Sequence, residues 1–264
     1  MLCSSEGSGD VPARENAATG PSLRAAEVTL LVGIFIGGGS TRMGRTKGLL
    51  AAPPDPRSGP ERCAEDPSVP GEDSRNLGEA CASASASGSA GSRGRGEGET
   101  IVERTFRIVQ AALPTASVVL VGDRDEFDGI CLERIRDAQP NTGPLGGLVG
   151  LLRSAEERGV SHVLALGSDF PYLTESLLTR LATTQSKAAV LAPFLDNRYQ
   201  PLVARYAVTT LGHFEACLEA TSYGLQRPLR ELDAAMLELE AADPEALVDW
   251  DTPEDVLRGR SGDG

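Results

Sequence analysis

Three runs in this chain are apolar at almost every position: "LLVGIFI" at 30–36, "SVVLVG" at 117–122 and "HVLALG" at 162–167. A strand with one wet face alternates apolar and polar residues, whereas a run without alternation has no face to offer to water. Strands of this kind must be covered on both sides. The reading is therefore strands over Val28–Ile36, Ser117–Gly122 and residues 161–169, with further strands over Ala188–Ala192 and Pro201–Tyr206. Helical patterns lie between them. One spans Thr100–Ala112 with Ile101, Val102, Phe106 and Val109 on one face, and a short acidic one lies near Asp125–Ile130. A third opens on the turn in "GPLGGLVGLLRSAEERG". A fourth spans Thr174–Thr183, with Thr174 as N-cap and Glu175 in the first turn, and a fifth spans Val208–Ala220. Strands alternating with helices predict an α/β domain around a mostly parallel mixed sheet. In such sheets ligands bind beyond the carboxyl ends of the strands.

Two segments break this pattern. Residues 1–27 are rich in Ser, Gly, Ala and acids without periodicity, and residues 53–98 hold Val69 and Leu77 as their only branched aliphatics and no aromatic. Neither can bury enough apolar area to offset the entropy of ordering, so both are read as disordered: a tail and an insertion. Residues 259–264 are read as a second tail, and the domain as residues 28–258 interrupted by the insertion. About 190 residues are left, enough for a single domain.

The formal net charge of −13 argues against nucleic acid and anionic membranes as partners. Five cysteines without a C-x-x-C pair fit neither a disulfide framework nor a zinc site. The N-terminus has no apolar core of a secretory signal, and no apolar run approaches the roughly 20 residues needed to span a bilayer. A soluble cytoplasmic protein is expected.

Two loops at strand ends carry the candidate chemistry. After Ile36 come Gly37, Gly38 and Gly39, then Arg42, Arg45 and Lys47. Bare backbone can approach a ligand closely and turn its N–H groups toward phosphate oxygens. Arginine can fork onto a phosphate, and lysine adds a compact charge. The spacing fits neither a Walker A loop nor a dinucleotide fingerprint. An ordinary turn with solvated cations is the plain alternative. The second loop is "SDFPYL", where Asp169 ends a strand on the same side. A carboxylate there suits Mg²⁺, which takes one or two carboxylates plus substrate phosphate oxygens; alone, an Asp after a strand more often forms a turn or caps a helix, and it is the pairing with the glycine loop that favours the metal. A third stretch, Asp137 to Gly147, is dense in Gly and Pro, and reads either as a tight turn or as room for a flat ligand.

Taken together, "GGGSTRMGRTKGLL" resembles the L-A-G-G-x-S-x-R-M-G-x-x-K-x-L-L signature of the molybdenum cofactor guanylyltransferase family of small nucleotidyltransferases. "ETIVERTFRIV" is similar to the helix that follows it there, "GPLGG" to G-P-L-x-G, and "SDFPYL" to D-x-P-F-L. "YQPLVARY", "PLRELD" and "LVDWDTPEDV" resemble later family elements, in order.

That resemblance implies a Rossmann-like three-layer fold and transfer of GMP from GTP to the terminal phosphate of molybdopterin, with Mg²⁺ and release of pyrophosphate. It implies that Gly37, Gly38, Gly39, Arg42 and Lys47 contact the nucleotide phosphates. Asp123, Asp137, Gly143, Pro144, Leu145 and Gly146 would line the nucleoside pocket, and Asp169 would hold the metal. Arg42, Lys47 and Asp169 would form the catalytic set, and Asp249 and Asp251 the acceptor side. Transient contact with proteins that supply molybdopterin or receive the finished cofactor is implied too. Phosphate oxygens are anionic at neutral pH, so this chemistry needs no general base, and His162 and His213 are read as structural or surface residues.

The sequence departs from the family at Gly37, usually Ala, at the insertion after the phosphate loop, and at Asp123. Asp249 and Asp251 stand where guanylyl enzymes often carry asparagines and where cytidylyl and sugar-nucleotide relatives often carry aspartates. A transferase using CTP or a sugar-1-phosphate is therefore the enzymatic alternative. A nucleotide-binding protein that has lost catalysis is the non-enzymatic one.

Overall fold

The computed structural model describes residues 30–37, 46–53, 98–250 and 255, and every structural statement refers to these. The proposed tails, residues 54–97 of the insertion, and Gly38, Gly39, Arg42 and Asp251 lie outside them.

The chain begins with β1 (Leu30–Phe35) and a 3₁₀ turn at Lys47–Leu49. It continues through α1 (Ile101–Ala112), β2 (Ser117–Val121), a 3₁₀ turn at Asp125–Phe127, β3 (Glu133–Ile135) and α2 (Pro144–Glu157). Next come β4 (His162–Gly167), α3 (Glu175–Thr183), β5 (Val190–Leu195), β6 (Arg198–Tyr199) and β7 (Val203–Ala207). The described chain closes with α4 (Leu211–Glu219), α5 (Gln226–Glu231), β8 (Ala235–Leu237) and α6 (Asp243–Ala246). No helix among the described residues is long and apolar enough to cross a membrane.

The eight strands form one sheet in the order β3-β2-β1-β4-β7-β5-β6, with β8 also paired to β5. β1 runs parallel to both β2 and β4, while β7 is antiparallel to β4 and β5. The order reverses between β1 and β4: β2 and β3 step one way from β1, and β4 steps the other. A crevice opens at such a switch point beyond the carboxyl ends of the strands.

The unbroken apolar runs behave as their pattern requires. Along β1, Leu31 and Phe35 join the core beneath α2 and α4, whereas Val32 joins the core beneath α1 and α3. Successive residues thus enter opposite layers, which is the pleat's period of two used on a strand with no wet face. The result is three layers, helix–sheet–helix.

Local chemistry explains the element ends. Thr100 caps α1 and exchanges hydrogen bonds with Glu103, a full capping box. The Thr174 side chain accepts from the Leu177 N–H at 3.2 Å, as the expected N-cap should. Arg205 on β7, 7% exposed, donates to the carbonyls of Ala182 and Thr184, both at 2.8 Å, and so satisfies the end of α3.

Several expected boundaries move. The helix expected from Val208 opens instead as a 3₁₀ turn, Val208–Thr210, before α4 begins at Leu211. The acidic helix near 125–130 is a single 3₁₀ turn, Asp125–Phe127. On α1, Ile108 is buried while Phe106 is only half-buried, packed beside the small cluster of Ile34, Ile36, Val102, Leu120 and Phe127. β5 runs on through Pro193 to Leu195 and returns as β6 through Asp196 and Asn197, both at positive φ. A two-residue turn of that backbone type suits the strands' twist.

Candidate functional site

Two recesses flank the end of β1. The larger, about 830 Å³, lies between the ends of β1 and β2 and is lined by Gly37, Gly122, Asp123, Arg124, Asp137 and Asn141 among others. The smaller, about 140 Å³, lies between the ends of β1 and β4, and Gly37, Lys47, Gly48, Ser168 and Asp169 line it. Gly37 borders both.

The floor of the larger recess is built by strand pairing. Ile36 N–H donates to the Val121 carbonyl and Gly122 N–H to the Ile135 carbonyl, each at 2.9 Å, so the β1, β2 and β3 ends meet side by side. Gly122 sits at φ +119°, and a Cβ there would lie 3.1 Å from the Gly37 nitrogen. Only glycine takes that backbone angle without strain while letting Gly37 pass this closely.

One wall is the loop 137–143. Ala138 N–H donates to the Gly146 carbonyl at 2.9 Å, and the Thr142 hydroxyl to the Gln139 carbonyl at 2.7 Å. A Cβ on Gly146 would come within 2.2 Å of the Thr142 hydroxyl oxygen and 2.8 Å of the Gln139 carbonyl oxygen. The glycine pair of "GPLGG" therefore lets α2 pack flush beneath this loop. Gly143 and Pro144 do line the recess. Leu145 is fully buried in the core below, and Gly146 is covered by the loop, so neither lines the recess.

Asp123 and Asp137 face the same space. Asp123 pairs with Arg136, Oδ2 to Nε at 3.2 Å, both well exposed. Burial, and then the charge of Asp123, push the Asp137 carboxyl above its ordinary range. Arg124, Arg136, Asp125, Glu126 and Asn141 also line this recess and were not picked out from the sequence. Asn141 at φ 63° was the available signal, since Asn before Thr-Gly marks a turn that tolerates a left-handed residue.

The smaller recess gathers the opposite charges. Ser168 N–H donates to the Phe35 carbonyl at 3.2 Å, and Gly167 N–H to the Leu202 carbonyl at 2.7 Å, which fixes where β4 ends. Asp169 follows, half-buried. The 3₁₀ turn at Lys47–Leu49 presents Lys47 from the other side, with Gly48 buried beneath it. That turn is anchored twice: Thr46 Oγ1 donates to Glu126 at 3.3 Å, and Leu50 and Ala52 pair with the residues around Thr100. From the far end of the chain, Trp250 N–H donates to the Asp169 carbonyl at 2.9 Å, which brings the exposed Asp249 beside the same turn. His162 begins β4 at the end away from these residues, and His213 sits on α4 beside Glu231.

The structure thus brings together Gly37, Lys47 and Asp169 in one recess and Gly37, Asp123, Asp137, Gly143 and Pro144 in the other. A nucleoside-sized cleft beside a lysine and a carboxylate can hold a phosphorylated ligand, with its charged end at the β1–β4 junction.

Comparison with known proteins adds to this geometry. A solved structure from Archaeoglobus fulgidus, molybdopterin-guanine dinucleotide biosynthesis protein A, superposes with a TM-score of 0.58 at 16% identity, covering 87% of this chain and 96% of that one. A nucleotidyl transferase from Methanothermobacter covers 88% and 96%, with a TM-score of 0.57 at 16% identity. These likenesses establish the fold: a mostly parallel mixed sheet of the nucleotidyltransferase kind. A curated relative from Flavobacterium johnsoniae, named "Probable molybdenum cofactor guanylyltransferase", is 27% identical over 138 residues, which is 52% of this chain and 71% of that protein. Another of the same name, from Opitutus terrae, is 24% identical over 168 residues, 61% of this chain and 82% of that protein. Residues 95–236 match the MobA-like NTP transferase domain, more than half of the chain, so this protein belongs to that family and is a nucleotidyltransferase.

Proposed function

We propose that this protein transfers GMP from GTP to the terminal phosphate of molybdopterin, releasing pyrophosphate. The observation that carries the reading is the meeting of Lys47 and Asp169 in one small recess that shares Gly37 with a cleft large enough for a nucleoside. The names of the curated relatives supply the substrate class.

On this reading the nucleoside enters the larger recess between Asp123, Asp137, Gly143 and Pro144, and the triphosphate crosses Gly37 toward Lys47. Arg42, with Gly38 and Gly39, completes the phosphate contacts. Mg²⁺ suits this site: the half-buried carboxylate of Asp169 would be one donor, with triphosphate oxygens and water supplying the rest. Bound there, Mg²⁺ would neutralise charge on the α-phosphate and the leaving group.

Lys47 offsets negative charge that shifts onto the departing pyrophosphate. The glycine loop and the recess walls hold the α-phosphorus facing the acceptor, so that reaction within the complex replaces a bimolecular encounter. The acceptor phosphate oxygen forms a bond to the α-phosphorus as the bond from that phosphorus to the bridging oxygen breaks. No proton has to move. Asp249 and Asp251 are assigned to the acceptor. The aspartate at 249, exposed beside the Asp169 turn, favours a cytidylyl transferase as the second reading.

The test is Mg²⁺-dependent thermal stabilisation by GTP, CTP, ATP and UTP, with Asp169→Asn as control. A nucleotide at about 100 times its Kd stabilises by about 2.7 kcal/mol, a readily visible shift. A shift with GTP alone that disappears in the control supports guanylyl transfer. A shift with CTP alone moves the assignment to the second reading, and no shift with any nucleotide refutes both.

A further inference from the structure

The matched family domain ends at residue 236, yet the chain returns to the site after it. It does so through Trp250, its only tryptophan, whose side chain is 1% exposed. This residue meets the Asp169 turn twice. Its N–H donates to the Asp169 carbonyl at 2.9 Å, and its indole stands edge-on to Tyr172, three residues beyond Asp169, with centroids 6.0 Å apart and planes at 81°. Edge-to-face pairs at that separation are attractive beyond simple burial.

The segment leading to Trp250 is fixed at its start as well. Asp243, with its side chain 3% exposed, accepts from Arg180 on α3 and from the Glu240 N–H at 2.6 Å. Arg180 also donates to the Glu238 carbonyl at 2.7 Å. Ala246 and Leu247 then enter the core beneath α3. Between buried Leu247 and buried Trp250 only Val248 and Asp249 are exposed. A two-residue span tied at both ends has little freedom left.

We propose that Trp250 is a positioning residue for the acceptor side of the site: its buried indole and its backbone N–H hold Asp249 at a fixed place against the turn that carries Asp169. This deepens the function proposed above and rests on its assignment of Asp249 to the acceptor. A tryptophan that merely filled space would affect stability alone. One that sets the place of Asp249 affects acceptor use without affecting the nucleotide.

Steady-state kinetics on the full chain, with Mg²⁺–GTP and molybdopterin, separate the two. Trp250→Phe keeps a ring against Tyr172 and should stay within about threefold of the parent in both KM values. Trp250→Ala should raise the KM for molybdopterin about tenfold or more and leave the KM for GTP within about twofold. Equal losses for both substrates, or loss only in proportion to the unfolded fraction seen in melting, would overturn the proposal.

If the alanine variant does not fold, the parent protein still decides. Emission excited selectively at the indole comes from Trp250 alone, and molybdopterin added to the parent with Mg²⁺–GTP should change it beyond the level seen with Mg²⁺–GTP. Unchanged parent emission while calorimetry registers bound molybdopterin would refute the positioning role. No binding heat with GTP would instead sink the functional reading, and the acceptor role of Asp249 with it.

Discussion

The two recesses at the end of β1 share Gly37 and little else. The larger is walled by backbone: glycine-permitted packing at Gly122 and Gly146 and a loop tied to α2. Its described charged lining is mainly acidic, with Asp123, Asp125, Glu126 and Asp137 against Arg124 and Arg136. The smaller is less than a fifth of that volume and places one lysine opposite one aspartate. A space bounded by backbone recognises shape. A small space with opposed charges suits a phosphate and its counter-ion, where a change of one side chain alters the chemistry rather than the fit. On the function proposed above, binding falls to one recess and turnover to the other, and substitutions should separate the two.

The largest effect is expected at the small recess. Asp169→Asn keeps the shape and removes the charge that would hold Mg²⁺. Turnover should fall by about two to three orders of magnitude, the range seen when one preorganised electrostatic group is lost. Metal-free GTP binding, read by calorimetry, should change little. A variant that keeps more than a tenth of the parent turnover would show that Asp169 is not the metal ligand.

Gly122→Ala tests the large recess through its backbone. An alanine at φ +119° is strained by about 1–3 kcal/mol, and its Cβ would press on the Gly37 nitrogen. Urea denaturation should show that loss, and the KM for GTP should rise more than kcat falls. Unchanged stability together with an unchanged KM would mean that the approach of Gly37 to Gly122 does not shape the nucleotide cleft.

These two residues also mark what the sequence could reveal. The place of Asp169 was legible because it follows an unbroken apolar run, at the strand end where parallel sheets bind ligands. The same pattern exposed β1, β2 and β4, but not their order in the sheet, which comes from pairing. Gly122 was read only as the last residue of a strand, since nothing local says that Gly37 passes 3.1 Å from where its Cβ would be. Arg136 and Arg124 were missed for a related reason. Arg136 follows β3, which is three residues, "ERI", with two charges and is a strand only through pairing with β2, and Arg134 of that strand donates to the Arg124 carbonyl. β6 and β8 have two and three residues and no pattern of their own; pairing with β5 makes them strands. Short edge strands are products of tertiary contact, which propensity cannot anticipate.

Asp137→Asn gives a smaller effect with a definite sign. The folded carboxyl titrates above its unfolded value because burial and Asp123 disfavour its charge. Below the unfolded pKa, about 3.9, both states are protonated and the residue contributes nothing to the pH dependence. Above the folded pKa both are ionised, and the folded state bears the unfavourable charge. The asparagine variant should therefore be more stable than the parent at neutral pH, with the difference vanishing as pH falls below about 4. Greater stability at acid pH than at neutral pH, relative to the parent, would contradict this account of the cleft.

The smallest effect is expected from the largest change in sequence. Residues 54–97 separate Lys47 from α1, yet the chain on either side of them is already joined. Ala52 N–H donates to the Glu99 carbonyl at 2.8 Å, Ile101 N–H donates to the Leu50 carbonyl at 3.0 Å, and Ala51 bridges Thr100. The turn that presents Lys47 is thus held by pairing at 50–52 with 99–101, whatever length of chain runs between. Replacing residues 54–97 by a short glycine linker shortens the loop roughly tenfold and should ease its closure by about 2 kcal/mol, since each doubling of length adds about 0.6 kcal/mol. The variant should melt no lower than the parent and keep activity within about threefold. Loss of soluble protein, or a GTP KM that rises while the melting temperature holds, would show that the insertion takes part in the phosphate side of the site. The division of labour between the two recesses would then have to include it.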